Sequence, residues 1–353
     1  MVLARTLSAT LLLFFYFSSA YSLRIGTYNV ENLWSHIPKK TPAAYPAYRE
    51  KSSNWFRDEM WQAKVQNLVK VIQWAQEPDI LCLQELEHKS PIWEIPYGDG
   101  RTFRQALEEL GYRYFLLGEQ EPGRDVVITT GIISKIPFYS IHPVGVPWDS
   151  RVQSARNIQV GAGMVQGQRL IIYNAHFPSA QVKNSESYKL SLRKRLRERL
   201  EEESRRDPGV RMVLLGDFNG DIYEDGFSNL WGDIPQDRRW ESMWNGSGRS
   251  LSHMLLSSQF FLSSGLLYKH LSFRIIGQDG EARQHLLTED GVPYRWQKEF
   301  QGHFYTHMGV GYSDHLPLVA EFYFEKKESA SESLGIPGGV LESPYGELLD
   351  GEW

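Results

Sequence analysis

Five short polar words interrupt the hydrophobic runs of this chain, and each stands at the end of one. They are Asn29-Val30-Glu31-Asn32, Gln84-Glu85, Asn174-Ala175-His176, Gly216-Asp217-Phe218-Asn219 and Ser313-Asp314-His315. The runs beside them, 23–28, 80–83, 170–173, 212–215 and 316–324, are short and largely apolar, as buried strands are. One such word is a turn or a helix start. Five with this choice of residues point to a rigid sheet that presents acids, amides and imidazoles to one hydrolytic metal site.

The length of 353 residues allows one large domain or two ordinary ones, and 41% apolar residues with 11 Trp support a sizeable core. Predicted strands and helices interleave over 23–324 without an interior linker, so one α/β domain is expected. Cys82, the single cysteine, lies inside an apolar run and reads as a small buried hydrophobe. An intramolecular disulfide is therefore impossible, and the fold must rest on its core.

Residues 1–22 read as a secretory signal: Arg5 supplies the positive end, 11–17 the apolar stretch, and Ser18-Ser19-Ala20 the cleavage site. The cut is expected after Ala20 or Ser22, leaving a secreted or periplasmic protein. The apolar stretch is short for a span of roughly 20 residues. The chain has 38 basic and 43 acidic residues, a net charge of −5. The segment 325–353 alone holds two basic and seven acidic residues, and reads as an acidic, disordered tail. The remainder is close to neutral, which is not the footprint of bulk electrostatic steering to nucleic acid.

Periodicity predicts helices over 60–74, 102–110 and 185–206, the last with Leu192, Leu196 and Leu200 on one face. Strands are predicted over 112–117, 125–134, 158–164, 170–174, 210–215, 251–257 and 316–324. The polar, aromatic stretch 258–312 reads as loops and a hairpin. The basic cluster 193–199 reads as a solvated helix face with ion pairs rather than a phosphate site.

The words translate into chemistry. Glu85, Asp217 and Asp314 share the strand-end pattern, and converging acids repel unless a cation sits among them. Mg²⁺ takes oxygen ligands and commonly uses one or two carboxylates with waters and phosphate. Asp217 can take a proton from water, and Asn219 can orient water or a phosphate oxygen. His315 and His176 can stabilise charge on phosphorus or protonate a leaving oxygen. Zinc is disfavoured, because the remaining histidines lack tight spacing and there is no thiolate cluster. Ser134 and Ser313 lack a nucleophile-elbow context.

The words Thr27-Tyr28-Asn29-Val30-Glu31-Asn32-Leu33, Leu83-Gln84-Glu85, Asn174-Ala175-His176-Phe177-Pro178-Ser179, Gly216-Asp217-Phe218-Asn219 and Gly311-Tyr312-Ser313-Asp314-His315-Leu316-Pro317 resemble, in order, the endonuclease/exonuclease/phosphatase (DNase I-like) superfamily, in its secreted bacterial type. The resemblance implies a four-layered α/β sandwich of two packed mixed sheets with helices outside. It implies Mg²⁺ or Mn²⁺, with Glu85 as the main ligand and Asn29, Glu31 and Asp314 nearby. His176, Asp217, Asn219 and His315 would be catalytic, and Asn29, Arg156, Asn157 and Asn174 would face substrate.

One word departs from the family. An aspartate that orients the catalytic histidine is expected before the last strands, and Ser252 of Ser252-His253-Met254-Leu255-Leu256-Ser257 stands in its place. Asp225, Glu281 or Asp290 are candidates to replace it from a loop. The expected function is a secreted, Mg²⁺-dependent phosphodiesterase, foremost a monomeric nuclease of broad specificity. One alternative is a sphingomyelinase-like or inositol phosphate hydrolase whose aromatic loops (93–97, Trp148, 294–305) touch membrane lipid. Another is a catalytically weakened phosphate-binding protein.

Overall fold

A computed structural model describes residues 22–34, 58–88, 92–98, 100–120, 128–146, 156–296, 298–301, 304–307 and 309–325. The segment to residue 21 expected to be a signal, Trp148 and the expected tail from 326 lie outside them. The larger sheet contains β1 (Ser22–Leu33), β2 (Ile80–Glu87), β3 (Tyr114–Leu117) and β4 (Ile128–Ser134). The smaller is built from β5 (Phe138–Val144), β6 (Ile158–Val165), β7 (Gln168–His176), β8 (Arg211–Asp217), β9 (Phe227–Asn229) and β10 (Ser252–Ser257). The chain then returns to the larger sheet with β11 (Gly265–Tyr268), β12 (Arg274–Ile275) and β13 (Leu318–Glu325). Strand order is β11-β13-β1-β2-β4-β3, with β12 also on β13, and β9-β10-β8-β7-β6-β5. Each sheet has one central parallel pair, β1 with β2 and β7 with β8, among antiparallel neighbours.

The alternation of β7 and β8 explains the layering. Ile172, Val213 and Leu215 lie in the core shared with the larger sheet. Ile171, Tyr173, Met212 and Leu214 lie in a second core with Leu192, Leu196 and Leu200 of α3 (Ser185–Arg206). A strand with a period of two thus serves two apolar layers. Helix α1 (Asp58–Trp74) buries Trp61, Val65, Leu68 and Ile72 in the first core. Helix α2 (Phe103–Glu109) starts at Thr102 with a capping box to Gln105 and buries Phe103, Ala106 and Leu107 there. The result is the expected four-layered α/β sandwich.

The boundaries differ from expectation at three places. Ser22 pairs with Tyr323, so cleavage after Ser22 would cut into β1, whereas cleavage after Ala20 leaves it whole. Glu325 closes β13 opposite Gly265, so it is not part of a tail. β5, β9, β11 and β12 were not predicted: β5 is a half-exposed edge strand containing Pro143, and the others are three, four and two residues long. The basic cluster of α3 is ion-paired, with Arg195 on Glu198, Arg197 on Glu224 and Arg199 on Glu203.

Candidate active site

Two irregularities in the larger sheet aim the first residues. The β1–β2 register shifts between Asn29 and Leu33, where Glu31 and Asn32 have φ of 50° and 56°. The β2–β4 register shifts between Gln84 and Leu86, at Glu85 with φ of 68°. Non-glycine residues with positive φ are uncommon, and bulges turn a side chain off the sheet's alternation. Here they turn Glu85 toward Asn29. Asn29 Nδ2 donates to Glu85 Oε1 at 3.0 Å and to Asp217 Oδ2 at 2.9 Å, while Asn32 N donates to Glu85 Oε2 at 2.9 Å.

The smaller sheet supplies the opposing wall. In the ladders, Asp217 stands opposite His176 on one side and Ser252 on the other. Gly216 precedes it at φ 122°, where a Cβ would lie 2.1 Å from the Ala175 carbonyl oxygen, so only glycine fits. Asp217 Oδ2 is 3.8 Å from His176 Nε2 and 3.8 Å from His315 Nε2. Its Oδ1 accepts from Asn219 N at 2.8 Å. Asn219 Nδ2 donates to the Phe177 carbonyl, and Lys189 of α3 donates to the Asn219 carbonyl at 3.1 Å. The turn Ser313-Asp314-His315 is tied down by Ser313, whose Oγ donates to Asn29 O at 2.7 Å and accepts from His315 N at 3.1 Å.

The charge missing at Ser252 comes from Glu241, which is none of the three residues expected to replace it. Glu241 is fully buried. Its Oε1 lies 3.2 Å from His315 Nδ1 and accepts from Ser252 N at 2.9 Å, and Leu251 N donates to the same carboxylate at 3.1 Å. It enters from the hairpin Ser242–Trp244/Ser247–Arg249, whose Ser242 bridges to His315. Ser252 therefore contributes a backbone N–H where its side chain cannot contribute a charge. The weakened-protein expectation rested on Ser252 alone and loses that basis. The only sequence signal for Glu241 is an acid within the aromatic run Trp240-Glu241-Ser242-Met243-Trp244.

The two imidazoles are driven apart in protonation. Burial acts against the His315 cation, but the bond to Glu241 and the charges of Asp314 and Asp217 outweigh it and raise its pKa to about 10. His176 is held well below 6.5, first by burial and then by the charges of Arg156 and His315. Arg156 Nη1 lies 3.1 Å from His176 Nδ1. Arginine only donates, so Nδ1 accepts and the proton of neutral His176 sits on Nε2. That N–H faces Glu85 Oε1 at 3.7 Å and Asp217 Oδ2 at 3.8 Å. A neutral donor and a cation thus flank one carboxylate.

Four expected substrate or metal contacts make hydrogen bonds inside the protein. Asn174 is fully buried and its Nδ2 donates to Leu83 O, Gly131 O and Gln159 Oε1, while its Oδ1 accepts from Gln84 Nε2. It stitches the two sheets together from a fully buried position. Asn29 presents its amide N–H to the carboxylates, and its Oδ1 accepts from Glu31 N. Glu31 is bound by Arg295 and by Trp296 N. Burial and the charge of Asp314 raise its pKa to about 7 despite Arg295. Asn157 is set apart from the cluster, bonded through Nδ2 to Glu119 O and through N to Gln120.

Glu85 and Asp314 remain as the accessible carboxylates, with side chains 18% and 36% exposed. Burial and then the charge of Asp314 raise the pKa of Glu85. Among the described residues no group of three or more His, Cys, Asp or Glu side chains is placed to hold a metal ion. An open pair of hard oxygen donors fits Mg²⁺ or Mn²⁺, which keep water and substrate in their shell, and does not fit a structural zinc site.

Opposed strand ends of two packed sheets, bringing an aspartate, two imidazoles and an open pair of acids to one point, define a DNase I-like sandwich. The chain belongs to the endonuclease/exonuclease/phosphatase family, whose profile matches residues 26–315. The members of this family are phosphoester hydrolases, and they typically use divalent metal ions. Truncated TDP2 from Caenorhabditis elegans superposes with a TM-score of 0.52 at 13% identity, covering 86% of this chain and 98% of that one. A family protein from Bacteroides thetaiotaomicron gives 0.50 at 14% identity, over 87% and 99%. At such identities the likeness is one of fold. No curated protein matches the chain in sequence.

Proposed function

We propose that the chain is a secreted, divalent-metal-dependent phosphodiesterase whose substrate is the nucleic-acid backbone, cleaved with broad specificity. One observation carries the reading: Asp217 Oδ2 lies 3.8 Å from a neutral imidazole on one side and a cationic one on the other. That arrangement suits attack on phosphorus by water. Asp217, fixed by Asn29 and Asn219, orients the water and takes its proton. His315, cationic through Glu241, faces the charge that develops on the phosphoryl oxygens, and the Nε2–H of His176 donates to the same group. A Mg²⁺ or Mn²⁺ held by Glu85 and Asp314 would supply Lewis-acid polarisation of the phosphate.

The near-neutral core suits a scavenging enzyme that releases its polymer rather than one that binds it tightly. The lipid reading loses part of its support, because Trp93 and Tyr97 are core residues at 5% and 6% exposure. Export rests on the sequence of residues 1–20. The test is Mg²⁺-dependent hydrolysis by the mature protein of plasmid DNA, RNA, sphingomyelin, inositol phosphates and a chromogenic diester. Turnover of DNA or RNA that is lost in Glu85→Ala and His315→Ala is expected. Turnover of sphingomyelin alone, or of no substrate, overturns the reading.

A further inference from the structure

Glu31 stands in the position the family resemblance gives to a metal ligand, yet its carboxylate is already committed. Oε1 accepts from Arg295 Nε at 3.0 Å and also from Nη2, and Oε2 accepts from Trp296 N at 3.0 Å. The same guanidinium places Nη2 3.5 Å from Asp314 Oδ2. Arg295 therefore spans the two acids.

This placement is built into the backbone. Tyr312 N donates to Tyr294 O at 2.7 Å, which zips the segment carrying Arg295 to the one carrying Asp314. Gly311, at φ 87°, lies so close to Arg295 that a Cβ would meet the Arg295 carbonyl oxygen at 1.9 Å. Tyr294 N donates to Leu286 O at 2.8 Å from the other side. A second cation backs the arrangement: Lys64 Nζ donates to Tyr312 O at 2.7 Å and lies 4.9 Å from the Trp296 ring centroid. An arginine keeps its charge at every working pH and offers a planar fork that matches carboxylate geometry.

We propose that Arg295 is a resident cation that fills the place between Glu31 and Asp314, so that this enzyme takes one divalent ion, on Glu85 and Asp314, and not two. The inference rests on the metal-dependent reading above. In that reading Glu31 carries no metal, and its partner Arg295 sets the metal stoichiometry of the site.

The test is Mn²⁺ binding to the metal-stripped mature protein, followed by calorimetry and by the electron paramagnetic resonance of free Mn²⁺. Wild type is expected to bind one ion, and Arg295→Lys, which keeps the charge, also one. Arg295→Met is expected to bind two, or to bind the first more tightly on the order of tenfold, because a like charge beside Asp314 is gone. The double variant Glu31→Gln/Arg295→Met removes both partners, so no buried carboxylate is left unpaired if the single variant does not fold. It is expected to bind one ion, again more tightly than wild type. Two ions in wild type, or unchanged or weaker affinity in a folded variant lacking Arg295, overturns the proposal. No Mn²⁺ bound by wild type sinks the metal-dependent reading itself.

Discussion

Replacing Glu241 by glutamine changes one atom's chemistry at the least exposed point of the site. The amide keeps an oxygen for the Leu251 and Ser252 N–H donors but withdraws the negative charge 3.2 Å from His315 Nδ1. With that charge present the pKa of His315 is pushed up to about 10. Without it the charges of Asp314 and Asp217 still favour the cation, but its hydrogen-bonded counter-charge is gone, so the pKa of His315 should fall from about 10 and the protonated share at pH 7 should shrink. Breaking a buried ion pair of this kind by removing one partner's charge typically costs about 3–5 kcal/mol. If the cation acts on the phosphoryl group, kcat/KM at pH 7 should fall by about tenfold or more, up to the roughly 10² to 10³ expected for complete loss of the charged donor. Hydrolysis of a chromogenic diester should be followed from pH 5.5 to 8.5, and the ratio of variant to wild type should rise as the pH falls and the imidazole is protonated again. Stability follows the same group. His315's folded pKa is raised, so its contribution is complete below about 6.5 and disappears as the pH rises through about 10. The gap in Tm between wild type and Glu241→Gln in EDTA should therefore be widest near pH 6 and close toward pH 10. Activity within about threefold of wild type at pH 7, or a flat ratio across the pH range, would falsify the assignment of Glu241.

Two further substitutions separate positioning from structure. Ser252→Asp in the wild-type background places a second acid beside buried Glu241, and should lower stability without raising the rate; in the Glu241→Gln background it should restore part of the lost kcat/KM, as read by the same assay. Asn174→Ala leaves Gln84 and the Leu83 and Gly131 carbonyls without their inter-sheet partner, and should cost about 2–4 kcal/mol in urea denaturation, at roughly 1–3 kcal/mol per unsatisfied group. Its kinetic constants per folded molecule should stay unchanged, and a selective rise in KM would show that Asn174 meets substrate after all.

The sequence by itself determined the layers and which residues stand at the candidate site. Period-two alternation in β7 and β8, the leucine stripe of α3 and the polar words at strand ends are local patterns, and a local pattern states which face is buried and where a strand stops. Glu85, Asp217, His176 and His315 were legible because each stands at the end of a hydrophobic run, the first three at its close and His315 at its start. What only the tertiary structure decided is how each polar group spends its hydrogen bonds. Asn174 and Glu31 have residue types suited to substrate and metal, but the packing of two sheets commits one to an inter-sheet network and the other to Arg295. Glu241 escaped notice for the opposite reason: it sits in a short hairpin with no readable period, 74 residues from its partner His315. Its charge works only because burial removes water from between them, and the chain's local order carries no record of that distance.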